Sequence, residues 1–343
     1  LNEGDYNVFF GYNAGQANTA ASGLIAIGKN AGYTDTGSYS STYIGRDAGK
    51  YSTSAAGYNT YIGAEAGCKG STCLGNVFIG AYAANNGTLG PSCQNVVIGQ
   101  GAGCRMCAGK TNVYIGREAG ACDADGESNV FLGLAAGKGT ASCNDSNVGT
   151  YNVALGCGAA CSLIGGDNNV ALGHRAGKAI TTGCNNITLG YKAGENITTG
   201  CRNIIIGLEV DAPSATGNDQ FVIGCDTNHW ISGDSSFNVT VNTICATNFN
   251  STSDIRLKTN IQPIGNPIGK VKQIEGVSFN WKKDNKPALG VIADQVEKIL
   301  PELVHGDDPK TVNYNGLIGL LIEAVKEQQT EIEALKDRIS KLE

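Results

Sequence analysis

Asn112-Val113-Tyr114-Ile115-Gly116, followed by Ala119-Gly120, decides how this chain is to be read. The phrase returns as Asn76-Val77-Phe78-Ile79-Gly80, Asn152-Val153-Ala154-Leu155-Gly156 and Asn169-Val170-Ala171-Leu172-Gly173. Its apolar-Gly mark runs from Phe10-Gly11 to Ile223-Gly224, thirteen times, mostly 17 residues apart, with steps of 18, 19 and 23 where loops have grown. A fixed period that accepts insertions at one point belongs to a solenoid.

Within a period, Val113 and Ile115 stand two apart and so share one face of a short strand, while Gly116 permits a turn that a Cβ would obstruct. Ala119-Gly120 suits a second tight corner. Each period is expected to supply one or two short strands plus a loop, too little to bury an apolar face alone. The expected fold is therefore mainly β, a parallel β-roll or β-helix of about 17-residue repeats. Thirteen rungs spaced about 4.8 Å apart would make a shaft of roughly 60 Å. The recurrent Asn would form a ladder of side-chain amides, against the alternative of glycosylation at Asn186-Ile187-Thr188, Asn196-Ile197-Thr198 or Asn238-Val239-Thr240. These Asn-Val-Ala-Leu-Gly strings resemble the head repeat of trimeric autotransporter adhesins, and that resemblance implies a left-handed parallel β-roll assembled as a homotrimer. The repeat here is longer than that family's.

Composition changes sharply near residue 253. Residues 253–343 hold 13 of the 25 Lys+Arg and 14 of the 31 Asp+Glu, whereas the preceding residues hold 42 of the 49 Gly and all 13 Cys. One long repetitive body and one small ordinary domain follow: a shaft at 1–230, a β junction at 231–252 and a terminal module at 253–343 whose coiled coil begins near 317. A net charge of −6 without a basic stripe argues against nucleic-acid binding. No apolar run reaches the length of a membrane span, and no signal peptide is evident, so no membrane insertion is expected. The first residue already lies inside a repeat, which suggests a fragment or processed product with any anchoring segment upstream.

The cysteines fall mostly in loops or just after the Ala-Gly corner. Cys184 and Cys201 are 17 apart at equivalent places, so in-register stacking would bring them within disulfide range; Cys68 and Cys73 would close one loop. Such usage points to an extracellular or otherwise oxidising environment. Cys104-Arg105-Met106-Cys107 leaves zinc as the alternative, although a single Cys-x-x-Cys is weak. The odd count leaves one cysteine free or bonded elsewhere. No phosphate loop and no histidine cluster occur, so neither a cofactor nor a catalytic metal is expected. Asp47, Glu65, Glu118 and Asp167 are spread along rung corners and are read as surface groups rather than a paired acid and base.

In the terminal module Gly276-Val277-Ser278-Phe279-Asn280-Trp281 alternates as a strand, Leu289 to Leu300 begins extended and becomes helical, and Thr311 to Asn315 leads into a long helix. There Ile318, Leu321, Val325, Ile332, Leu335, Ile339 and Leu342 follow a 4-3 spacing with Gln328 in the remaining core slot, the pattern of a coiled coil.

Three ordered motifs then carry a second resemblance. Ser253-Asp254-x-Arg256-Leu257-Lys258-x-Asn260-Ile261, then Gly290-Val291-Ile292-Ala293-Asp294-Gln295-Val296-Glu297 with Pro301-Glu302-Leu303-Val304, then Val312-Asn313-Tyr314 before Leu320 to Lys326 resemble the endosialidase-type intramolecular chaperone that ends phage tail spikes and fibres. The family usually has Gln-Glu where this chain has Asp294-Gln295. The resemblance implies an α+β chaperone that drives assembly of the upstream β-structure as a homotrimer and then removes itself by cutting at Thr252–Ser253. Ser253 would be the nucleophile and Lys258 the general base, with Asp254 orienting the segment or stabilising a turn. Such a lysine must be brought below its ordinary ammonium value by burial or neighbouring charge. The plainer alternative makes Ser253 a helix cap and Lys258 a solvated charge. The expected function is a viral or phage fibre on the virion surface that attaches to a host surface glycan or protein receptor. Its only enzymatic activity would be a serine endopeptidase acting once in cis. A tail-spike polysaccharide depolymerase or a cellular trimeric adhesin are the other readings.

Overall fold

The structure, a computed structural model, describes residues 4–53, 57–69, 74–85, 92–139, 148–236, 238–241, 252–282, 285–306 and 309–342. The chain divides into two units, Leu1–Cys245 and Ala246–Glu343.

The first unit is a parallel solenoid. Among the described residues each rung contributes one strand, from Val8–Phe10 to Phe221–Cys225, and thirteen such strands stack in sequence order, delimiting twelve turns. Like stacks on like: Val113 pairs with Val130, Tyr114 with Phe131 and Ile115 with Leu132. A strand of three residues turns its centre inward, so Tyr43, Tyr61, Phe78, Val97, Tyr114, Phe131, Ala154 and Ala171 are buried and its two flanks face out. The rest of each rung is built from turns, with parallel bridges such as Lys110 to Glu127 on a second line.

The amide ladder expected from the repeat is present. Asn112 Oδ1 accepts the backbone N–H of Asn129 at 2.8 Å, and Asn112 Nδ2 donates to Gly126 O at 2.7 Å. The chain of acceptors continues through Asn129, Asn152, Asn169, Asn186 and Asn203 to Gln220. Asn186 is wholly buried with its amide committed to this ladder, which removes it as a glycosylation acceptor. Gly116 closes the strand at φ +133°, and a Cβ there would stand 2.4 Å from Gly133 O of the next rung. Gly120 packs under the inward ring, where a Cβ would meet Tyr114 at 2.6 Å.

Core filling changes along the shaft. At two of the tyrosine-centred rungs a buried aspartate answers the ring: Tyr43 OH donates to Asp35 Oδ2 at 3.0 Å, and Tyr114 OH bonds Asp123 Oδ2. Rungs centred on Ala154 and Ala171 instead bury Leu163 and Ile180 at the later position. The last parallel strand pairs antiparallel with Asn228–Gly233, and that strand pairs with Val239–Val241, so the stack ends in a meander rather than in another rung.

The second unit is α+β. Helix α1 (Pro267–Val271) is followed by the antiparallel pair Val277–Asn280 and Pro287–Gly290. Next come helix α2 (Ala293–Glu297), a 3-10 turn at Pro301–Leu303, the pair Val304–His305 and Thr311–Val312, and helix α3 (Tyr314–Ser340). Its core is small: Val296, Leu300 and Leu320, with Val271, Ile274, Val291, Leu303 and Leu317 against them. Asn313 caps α3 by accepting the N–H groups of Asn315 and Gly316. Beyond Ala324 no residue of α3 is buried, and Val325, Ile332, Leu335 and Ile339 lie exposed on it, with Leu342 exposed just past its end.

Candidate self-cleavage site

One short turn assembles the proposed site. Asp254 caps the 3-10 segment Ile255–Leu257 by accepting the Arg256 N–H at 2.9 Å, and the Lys258 N–H closes the turn on Ile255 O at 3.1 Å. The chain so folded brings Lys258 Nζ to 2.7 Å from Ser253 Oγ. That distance allows proton exchange between hydroxyl and amine. Both residues, and Thr252 before them, are exposed.

Asp254 turns away from the lysine. Its carboxylate is held by the Arg256 guanidinium, with Nη2 to Oδ2 at 2.6 Å and Nε to Oδ1 at 3.1 Å, and this pairing keeps the carboxyl below the ordinary range. Of the three residues singled out from the sequence, Ser253 and Lys258 meet and Asp254 organises the turn between them. Around them Ile255, Leu257 and Ile261 expose apolar side chains to solvent.

A second charged cluster was not legible beforehand. Lys310 Nζ sits between Asp294 Oδ1 at 2.8 Å and Glu297 Oε2 at 2.7 Å, tying the loop before α3 to α2, and the two carboxylates raise its ammonium well above the ordinary lysine value. Asp294 is thus an anchor of the module.

The cysteines follow the stacking only in part. Cys184 and Cys201 meet with Sγ atoms 2.8 Å apart, both as free thiols. Cys68 is a free thiol buried in a rung corner, where it packs as a small apolar side chain. Cys73 itself lies outside the described residues. Cys93 and Cys122 carry disulfide bonds that the spacing rule had passed over. Cys104 and Cys107 each donate through Sγ to a backbone carbonyl, and among the described residues no three metal-binding side chains gather. Glu65 pairs with Arg46, Glu118 with Lys138, and Asp167 accepts the Thr150 N–H, so these carboxylates are engaged between rungs. No described helix is long and apolar enough to cross a membrane.

Residues 253–305 match the family model described as chaperone of endosialidase. The terminal module carries that family's signature. Among curated proteins the chain is similar to the long tail fiber protein Gp37 of Enterobacteria phage K3, 32% identical over 98 residues, which cover 25% of this chain and 8% of that protein. The Gp37 of Escherichia phage AR1 is 37% identical over 87 residues, 22% of this chain and 8% of the relative. That of Salmonella phage S16 is 32% identical over 106 residues, 27% of this chain and 14% of the relative. The matched stretch thus spans only a small part of each tail fibre's length. No solved structure matches.

Proposed function

We propose that this chain is a structural subunit of a trimeric viral fibre whose terminal endosialidase-type chaperone aligns three copies, promotes stacking of the shaft and then separates by self-cleavage at Thr252–Ser253. The observation that carries this reading is the 2.7 Å contact between Lys258 Nζ and Ser253 Oγ, immediately after the junction between a repetitive β-shaft and the chaperone-type module.

In the reaction Ser253 Oγ gives its proton to the Lys258 amine and attacks the carbonyl carbon of Thr252. The Thr252–Ser253 amide breaks with transfer of the acyl group to Oγ, and water then hydrolyses the ester to leave two chains. The base must be a neutral amine, and in a single chain Lys258 is open to water. Trimerisation supplies the missing desolvation: exposed Ile255, Leu257 and Ile261 flank the dyad and offer the apolar surface that a neighbouring copy would cover. Timing follows, since an unassembled chain would keep its chaperone.

Two apolar surfaces support the trimer. One is the heptad face of α3, with Val325 61% and Ile339 58% exposed. The other is the outward side of the rungs, where Leu155, Ile187, Leu189 and Ile204 are exposed in two files beside the buried central row. Parallel stacking brings distant residues together slowly and leaves open edges, and a local helical bundle that sets the register shortens that search. Removing the bundle makes assembly irreversible, and the fibre is then kept by its unfolding barrier. Placement on the virion surface, and attachment to a host glycan or protein receptor, rest on the tail-fibre relatives.

Expression of the full chain beside Ser253→Ala and Lys258→Ala tests the reading. Native mass should show three cleaved shafts together for the parent and three intact chains for each variant. An uncleaved parent trimer, or cleavage in either variant, removes the dyad; a monomeric parent removes the fibre.

A further inference from the structure

Residues placed three positions before a strand stack in one file along the shaft, and in that file a side chain accepts the backbone N–H of the rung before it. Asp5 N donates to Ser22 Oγ at 3.2 Å, Thr150 N to Asp167 Oδ1 at 2.7 Å and Cys201 N to Asn218 Oδ1 at 2.7 Å. At one rung the acceptor is a sulfur: Cys184 N donates to Cys201 Sγ at 3.1 Å. A thiol is a weak acceptor, so cysteine performs poorly there the task that serine, aspartate and asparagine perform elsewhere.

We propose that Cys184 and Cys201 form a disulfide that clips two consecutive rungs together near the C-terminal end of the shaft. Their Sγ atoms stand 2.8 Å apart. The strands after them pair in parallel, Ile187 with Ile204, which spaces stacked Cα atoms about 4.8 Å apart, inside the range of about 4.4–6.8 Å that a disulfide requires. The backbone on both sides is already held, Asn185 N by Asp167 O and Arg202 N by Cys184 O, each at 2.9 Å. Cys93 occupies the same file, three residues before Val96, and carries a disulfide. Both thiols of the clip are partly solvent-accessible.

The oxidant is a small-molecule disulfide of the glutathione class. One cysteine thiolate attacks a sulfur of that disulfide and expels a thiolate. The second cysteine then attacks the mixed disulfide and expels the other, so the oxidant leaves as two thiols carrying the two protons and two electrons that the cysteines lose. The clip joins neighbouring turns just ahead of the antiparallel meander, at the end of the stack where fraying begins. It is independent of whether the chain cuts itself at Ser253.

Tryptic mapping tests it. Lys178, Lys192 and Arg202 place the two cysteines in consecutive peptides, 179–192 and 193–202. The full chain is incubated with oxidised glutathione, its remaining thiols are trapped with N-ethylmaleimide in denaturant, and the digest is analysed before and after reduction. The expected result is one species combining both peptides, lighter than their sum by two hydrogens and lost on reduction. Cys201→Ser keeps an acceptor for the Cys184 N–H and should melt on the order of 5 °C below the oxidised parent. Separate maleimide or glutathione adducts on the two peptides, or linkage of either to another cysteine, would overturn the proposal. A linked species that melts with the variant would overturn the stabilising role.

Discussion

Lys258 Nζ lies 2.7 Å from Ser253 Oγ because the turn between them is tied by Asp254, which caps it and grips Arg256. The contact is therefore set by the local sequence Ser253 to Lys258, and under the proposed self-cleavage what remains for assembly to supply is burial.

Lys258→Arg keeps the positive charge but puts in place a group that does not deprotonate. Cleavage should be lost as completely as in Lys258→Ala, as read by the intact-chain mass. Residual cutting in the arginine variant would mean that the cation assists electrostatically and another group is the base.

Arg256→Ala and Asp254→Asn leave both dyad residues in place and loosen the turn that aligns them. Self-cleavage followed on a gel should slow about tenfold in each, without being abolished, as expected for misaligned groups. Complete loss in Asp254→Asn with normal trimerisation would give the aspartate a direct part in the chemistry.

Asn112→Ala leaves the buried N–H of Asn129 without its partner and strips the Gly126 carbonyl of one of its two donors. The cost should be about 2–4 kcal/mol per chain in denaturant unfolding. Asn13→Ala, which removes a single part-buried contact of 3.4 Å to Asn30, should cost under about 0.5 kcal/mol.

Gly116→Ala combines a φ of +133° with a Cβ 2.4 Å from the next rung's carbonyl oxygen, so the stack cannot close there. The variant should accumulate as insoluble or protease-sensitive chain. Gly265→Ala, whose Cβ would meet nothing within 4 Å, should behave as the parent in limited proteolysis.

Burial raises Asp123 to about 6 from 3.8 despite its bonds to Tyr114, Gly126 and Asn129. Across roughly pH 4 to 6 the folded shaft holds a proton that the unfolded chain releases, so stability should fall as pH rises through that window and level off above it. The change is on the order of 1–3 kcal/mol. Asp123→Asn should flatten it. Equal differences in melting midpoint between pH 4 and pH 7 for parent and variant would show that other groups govern the slope.

The rung period, the corner glycines and the amide ladder were legible in the sequence because each rung repeats one local rule, and identical rules stack in register. Ser253 and Lys258 were legible through the resemblance of their segment to the chaperone family, and they meet because they lie five residues apart on one turn. Asp254's part in the turn was anticipated as well, but its grip on the Arg256 guanidinium was not, since that partner is chosen by side-chain geometry rather than spacing.

The sequence by itself therefore determined a parallel stack, its period and the module that follows it. The spacing of Cys184 and Cys201 already placed them in one file, but only the tertiary structure decided that Cys68 is buried in a corner and that Cys93 and Cys122 carry disulfides. It also decided that Tyr43 and Tyr114 require buried aspartates while Ala154 and Ala171 accompany Leu163 and Ile180. The physical reason is that backbone stacking follows from a short periodic pattern, but filling the enclosed volume and satisfying each buried polar atom depend on side chains brought together from different places in the turn.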